Sequence, residues 1–212
     1  MSDAPPVLVL GASGHGKVAA ATAQAAGRTV VGFADAAATL RGSEVMGLPV
    51  VATTDDEVLA CLAEHRAELF VAIGANAVRQ RVGQRFEEHG VTLATLVHPT
   101  AWLAPNVPVG RGTLICAGSI VQPGSTIGAH VILNTAATVD HDGRIDDVVH
   151  LSPGVHLGGT VHVAEGAWLG VGVSVRNNQQ IGAWATVGVG AVVVSDIPPR
   201  VVAVGVPARP VR

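Results

Sequence analysis

Residues 133–151 read Leu-Asn-Thr-Ala-Ala-Thr-Val-Asp-His-Asp-Gly-Arg-Ile-Asp-Asp-Val-Val-His-Leu, and Leu133, Val139, Ile145 and Leu151 stand six apart. Backward, the series continues through Ile127, Val121, Ile115 and Val109 to Leu103. Forward, it runs through Leu157, Val163, Leu169, Val175, Ile181 and Val187 to Val193. All sixteen positions hold Leu, Ile or Val, which marks a repeat architecture. Two residues before each aliphatic the chain is mostly small, as at Thr113, Ser119, Ser125, Ala137, Gly143, Ala167, Ala185 and Ala191. The position just after it favours Gly, Ala, Ser, Asn or Asp, as at Gly110, Gly128, Asn134, Asp140, Gly158, Gly170, Gly182 and Gly188.

This pattern resembles the hexapeptide repeat of left-handed parallel β-helices. In that family each hexad forms one short side of a triangular prism and three hexads complete a coil. The repeated aliphatic then fills the interior, the small residue lets the chain fold inward, and the corners need little bulk. The left-handed crossover is an exception to the usual hand of parallel strands. A solenoid must be capped at its ends. The tail 195–212, with Pro198, Pro199, Pro207 and Pro210, is expected not to continue the ladder and to form a cap.

The first 98 residues follow another rhythm. Val7 to Leu10 is a short apolar run that leads into Gly11-Ala12-Ser13-Gly14-His15-Gly16, followed by an Ala-rich helical stretch to about Ala26. Thr29 to Phe33 reads as a second strand ending at Asp35, and Leu69 to Ile73 as a third closing at Gly74. Thr54 to Glu57 is a capping box that opens a helix, while Val78, Val82 and Phe86 fall four apart on another ended by Gly90. Strand alternating with helix implies a small parallel sheet, a truncated Rossmann-like unit. The expected organisation is thus a Rossmann-like α/β domain at 1–98, a left-handed β-helix at 99–194 and a cap at 195–212.

Composition narrows the function. Charged residues make up 14% of the chain, aromatics 3%, and the formal net charge is −3. A nucleic-acid binder that works by neutralising phosphates is excluded on that balance. No run approaches the ~20 apolar residues of a membrane span, and no leader pattern opens the sequence. With Cys61 and Cys116 as its only cysteines, the expectation is a soluble protein of a reducing cytoplasm. The low charge for so apolar a chain points to surface covered in an oligomer.

The glycine-rich loop suits a phosphate, because glycines permit close backbone approach and a helix N-terminus offers free N–H groups. Asp35 stands where a ribose hydroxyl contact is expected. The spacing is G-x-x-G-x-G rather than G-x-G-x-x-G, which argues against a dinucleotide and leaves a bound nucleotide or a plain tight turn. Metal is not expected. His150, His156 and His162 are six apart, face different ways on a prism, and cannot converge on a zinc ion at ~2 Å; most histidines are expected as solvated corner residues. His141 differs, lying between Asp140 and Asp142 at a corner, with Pro123 and Gly159 one coil away on either side. A carboxylate beside an exposed imidazole raises its basicity and fixes its tautomer. The plain alternative is a surface histidine in an acidic turn.

Over essentially its whole length the chain resembles the bacterial nucleotide-sugar acetyltransferases that join a Rossmann-like domain to a left-handed β-helix. That family includes enzymes acting on UDP-4-amino sugars and on GDP-perosamine, and sialic acid O-acetyltransferases. The residues that carry the resemblance are Gly11 to Gly16, Ala72-Ile73-Gly74, Asn134-Thr135, His141 followed by an acid, His150, and Gly205-Val206-Pro207-Ala208-Arg209. The resemblance implies His141 as general base and Asp142 as its partner, where relatives carry the longer Glu. It implies Ser13, Gly14, His15, Asp35 and Gly74 at the nucleotide sugar, with Ala36 where many relatives have a second acid. It implies His150, Val171, Gly188 and Arg209 along an acetyl-CoA cleft between neighbouring β-helices of a homotrimer.

The implied reaction is direct transfer of acetyl from acetyl-CoA, the co-substrate, to the amine of a nucleotide-linked 4-amino-4,6-dideoxy sugar. A trimer would also cover Trp168 and Trp184, expected at corners. Sugar O-acetylation, an NAD-dependent oxidoreductase and a non-catalytic solenoid are the rival readings. Cys116 fills a small-residue slot and is expected to pack rather than react.

Overall fold

The apolar run Val7–Leu10 forms strand β1 of the computed structural model, which describes residues 4–211. Contacts divide the chain into two compact units, one running up to His98 and one beginning at Pro99. In the first, β1 leads through helix α1 (Gly14–Ala25) to β2 (Val30–Ala34), then to β3 (Glu44–Val45) and β4 (Leu48–Ala52). Helix α2 (Asp55–His65), β5 (Glu68–Val71) and α3 (Asn76–Glu88) follow. The sheet order is β3-β4-β2-β1-β5, parallel except for β3. The chain therefore moves outward from β1 to β4 and then returns to set β5 on the other side of β1. Ligand crevices of open α/β sheets form at such a reversal, beyond the carboxyl ends of the strands.

Local chemistry explains these elements. Thr54 Oγ1 accepts from the Glu57 N–H at 3.4 Å, while Glu57 Oε2 accepts from the Thr53 N–H at 2.8 Å, closing the start of α2. Leu8, Ala34, Val58, Leu69, Val71 and Phe86 pack as the core. Two features differ from the sequence expectation. The pair β3–β4 was not foreseen, because Pro49 interrupts its apolar run; Pro49 lies opposite Glu44 of the short edge strand, where a missing N–H is tolerated. The buried stripe of α3 is Arg79, Gly83 and Phe86, whereas Val78 and Val82 are only partly covered.

The second unit is a left-handed parallel β-helix of two-residue strands. Ile120–Val121, Thr138–Val139, His156–Leu157 and Ser174–Val175 stack on one face. Thr126–Ile127, Arg144–Ile145, His162–Val163 and Gln180–Ile181 form the second. Leu114–Ile115, Ile132–Leu133, His150–Leu151, Trp168–Leu169 and Thr186–Val187 lie on the third. From Ile115 to Val193 every ladder aliphatic is at most 4% exposed. Where the small position carries a hydroxyl, it ties two coils together: Ser119 Oγ donates to the Asn134 carbonyl at 3.0 Å and Ser125 Oγ to that of Asp140 at 2.8 Å.

Every sixth residue from Asn106 to Gly190 takes the left-handed backbone, with φ between 55° and 77°. This turn residue sits three positions after the interior aliphatic. Where glycine stands directly after the aliphatic, the reason is different, because the next coil presses on it. A Cβ on Gly158 would stand 2.8 Å from Asn177 N, and one on Gly170 2.8 Å from Val189 N.

Three expectations for this unit are corrected. The tail does extend the ladder: Ile197 bridges Ile181 in parallel, and Val202–Val204 pairs in parallel with Thr186–Val187. Pro198 and Pro199 fall at a turn, where no ladder N–H is needed, and only the antiparallel Arg209–Pro210 ends the stack. His150, His156 and His162 each open a strand, one on each face, rather than occupying corners. Trp168 likewise lies on a strand; Trp184 does sit at a left-handed corner, its ring over Gly166, where any Cβ would collide with it.

Candidate active site

In the first unit a cleft of about 450 Å³ opens at the carboxyl ends of β1, β2, β4 and β5. Gly11, Ser13, Asp35 and Gly74 line it. The turn after β1 needs its glycines: Gly11 has φ +116° and a Cβ there would stand 2.7 Å from the Ala72 carbonyl oxygen. A Cβ on Gly74 would meet nothing within 4 Å, which leaves room for a ligand in the cleft. Asp35 binds the turn itself, its Oδ2 accepting from the Ala12 N–H at 2.9 Å and its Oδ1 from the Ala37 N–H at 3.0 Å. A carboxylate has lone pairs beyond these two, so Asp35 keeps acceptor capacity toward the cleft.

Gly14 and His15 open α1 and stand outside the cleft lining. Burial, reinforced by the Arg79 charge, pulls the His15 pKa from 6.5 down to about 4, so its imidazole is neutral at pH 7. Sequence reasoning missed Arg79, which is 1% exposed. Its Nη1 donates to the carbonyls of Ile73 at 2.9 Å and Gly74 at 3.2 Å, and its Nη2 to Asn76 Oδ1 at 2.9 Å. Those bonds hold the β5–α3 loop that walls the cleft, while burial lowers the guanidinium pKa to about 9. The available signal was its spacing with Gly83 and Phe86, i, i+4 and i+7 on one helix face.

In the second unit His141 and Asp142 form the corner after the strand Thr138–Val139. Asp142 is the left-handed residue there, with φ +57°. That conformation breaks the strand alternation and turns its carboxylate toward the preceding side chain: His141 Nδ1 and Asp142 Oδ2 are 2.9 Å apart. Both side chains are exposed, 60% and 66%. A Cβ on Gly159, one coil on, would collide with the His141 ring, and one on Gly124 would collide with Asp142 Oδ1. Beneath the corner, buried Ser125 Oγ donates to the Asp140 carbonyl and accepts from the Gly143 N–H at 3.1 Å. The hydrogen bond to Asp142 raises the His141 pKa, and the charges of Asp140 and Asp142 add to this. An imidazole whose Nδ1–H is held by a carboxylate presents Nε2 as a proton acceptor.

His150 is buried on the third face, its Nε2 3.3 Å from Asn134 Nδ2. Gly188 follows the strand Thr186–Val187 on that face, and Val171 stands at the corner it shares with the first. Arg209 is on the closing strand and donates Nη1 to the Ala208 carbonyl at 2.8 Å. Val171 and Val189, one coil apart at the same corner, are 48% and 70% exposed. The column thus carries His141 on one edge and this apolar strip on another. Among the described residues no three His, Cys, Asp or Glu side chains gather as metal ligands, and no helix is long and apolar enough to cross a membrane.

Residues 6–86 match the family model of the PglD N-terminal domain. The perosamine N-acetyltransferase of Caulobacter crescentus, solved as a histidine variant with CoA and GDP-perosamine, is 42% identical, with a TM-score of 0.90 over 97% of this chain and 96% of that one. This chain belongs to the nucleotide-sugar acetyltransferase family. The acetyltransferase domain of PglB from Neisseria gonorrhoeae is also similar, at 37% identity and TM-score 0.87 over 98% of this chain and all of that one. A GDP-perosamine N-acetyltransferase of Escherichia coli O157:H7 is 30% identical over 140 residues, 65% of this chain; the chain spans 61% of the length of that curated relative. Family membership accounts for both units, the α/β cleft and the β-helix, in one chain.

Proposed function

We propose that the chain is an acetyl-CoA-dependent N-acetyltransferase that acts on the amine of a nucleotide-linked 4-amino-4,6-dideoxy sugar. The single observation that carries the reading is the His141–Asp142 pair at an exposed corner cleared by Gly124 and Gly159. The sugar amine attacks the thioester carbonyl while His141 Nε2 takes its proton. Asp142 holds the Nδ1–H and stabilises the imidazolium that forms. Collapse of the tetrahedral intermediate expels the CoA thiolate, which leaves with that proton as the thiol. General-base help of this kind is worth about 10²–10⁴ in rate, and positioning of amine and thioester supplies more.

In the same proposal Ser13, Gly14, His15, Asp35 and Gly74 serve the nucleotide sugar, with His15 supporting the turn from below. His150, Val171, Gly188 and Arg209 serve acetyl-CoA. A ligand pocket normally encloses most of its ligand, whereas a prism face is a single wall. A homotrimer in which another copy adds the second wall, and covers the Val171–Val189 edge, fits both needs. The free thiols of Cys61 and Cys116 and the soluble co-substrates fit a cytoplasmic enzyme.

The test is thiol release from acetyl-CoA with a panel of GDP- and UDP-linked 4-amino sugars and matching hydroxyl acceptors. Turnover with at least one amino sugar, and a fall of about 10²-fold or more in kcat for His141→Asn, are expected. Wild-type turnover in that variant would remove His141 as base, and activity with hydroxyl acceptors alone would replace N- by O-acetylation.

A further inference from the structure

Asp55 and Arg85 line the cleft of the first unit, yet the reaction proposed above gives them no task. Asp55 opens α2 and Arg85 lies near the end of α3; Arg85 Nη2 donates to Asp55 Oδ1 at 3.0 Å, and both side chains are about half exposed. We propose that this pair reads the Watson–Crick edge of a guanine, so that the acetyl acceptor bound in the cleft is a guanosine diphosphate sugar. The inference rests on the nucleotide-sugar reading of the cleft and deepens it.

The sheet sets the order of the subsites. The turn after β1, with Gly11 and Ser13 in the lining, suits the phosphates, and Asp35 after β2 suits a ribose. The next strand outward is β4, and Thr53, Thr54 and Asp55 follow its end within the same cleft. Adjacent strands lie about 4.8 Å apart, so β1 to β4 covers about 10 Å, the reach from a diphosphate to its base. Ala36, Val58, Val78 and Val82 supply apolar walls of the same cleft, as the face of a base requires. Asp55 and Arg85 then stand as its polar groups.

Their chemistry discriminates. Guanine alone among the common bases presents two adjacent N–H donors, N1–H and N2–H, beside a carbonyl, O6. A carboxylate accepts from both donors while a neighbouring guanidinium donates to O6. Asp55 retains Oδ2 and further lone pairs for this, and Arg85 retains N–H groups beyond the one it gives to Asp55. Uracil flanks its single N3–H with carbonyls, so one carboxylate oxygen would face a lone pair. Adenine and cytosine offer one amino group beside a ring acceptor and engage only half of the carboxylate. A site built to bond a donor rejects the analogue that lacks it.

Calorimetric titration of the full-length protein with GDP, IDP and UDP tests the assignment, IDP being GDP without the N2 amine. GDP is expected to bind about tenfold or more tightly than UDP, with IDP between them. Asp55→Asn should weaken GDP by a similar factor and leave UDP unchanged. UDP or IDP binding as tightly as GDP in the wild type, or equal loss of GDP and UDP in the variant, would overturn it. Should none of the three bind, the nucleotide cleft itself falls; a missing preference removes only the role of Asp55 and Arg85.

Discussion

At His141 the chemistry depends on one hydrogen bond across adjacent residues. The bond to Asp142 lifts the imidazole pKa above its ordinary 6.5, and a general base must be deprotonated to work. The acid limb of kcat/KM should therefore lie above pH 6.5 in the wild type and move to lower pH in Asp142→Asn, as a pH–rate profile of the two proteins would record. Gly159→Ala places a methyl group where the ring sits. Its φ is not in the left-handed region, so the backbone tolerates alanine; kcat should fall about tenfold or more through misplacement of the base, with little change in melting temperature. Ser125→Ala strips the Asp140 carbonyl and the Gly143 N–H of a buried partner, at a cost of about 1–3 kcal/mol. Ser119→Ala, which removes the equivalent bond to the Asn134 carbonyl, provides the control. Denaturant curves should show the smaller loss for Ser119→Ala, because the Asn134 carbonyl still accepts from the Ala137 N–H, while kcat falls only in the variant beneath His141.

Among the elements, the ladder of the β-helix was legible because each interior position is read against fifteen copies of itself. Leu151 is fully buried, so Leu151→Ala should cost about 2–5 kcal/mol in unfolding free energy. The α/β unit offered no such redundancy. Its β4 was hidden by Pro49, and the buried face of α3 was mistaken because a guanidinium, Arg79, takes a place that periodicity awards to an apolar side chain. The site divided in the same way. His141 and Asp142 stood out by composition at a corner of known phase, whereas Arg79, Asp55 and Arg85 gain meaning only once separate loops meet. Helix α1 carries a prediction of its own. His15 has a folded pKa of about 4, below its ordinary 6.5. Its stabilising contribution is complete above pH 6.5 and is lost as the pH falls toward 4, because only the unfolded chain takes up the proton in that window. Melting temperature followed between pH 7 and pH 4 should fall less steeply in His15→Gln.

For the molecule as a whole, the proposed trimer sets a mass. Sedimentation equilibrium should return about three times 21.4 kDa, and replacing exposed Val171 and Val189 by Asp should shift the distribution toward monomer with parallel loss of turnover. A stable native monomer would leave acetyl-CoA on an open wall. The left-handed residue that returns at every sixth position from Asn106 to Gly190 has one more implication. Angular position around the column is a matter of phase, so adding or removing one whole coil would leave each edge facing the same way. Adding or removing a single hexad would swing everything above the splice by a third of a revolution. Natural length variation in such columns should accordingly come in steps of eighteen residues wherever the splice falls between the groups that must cooperate.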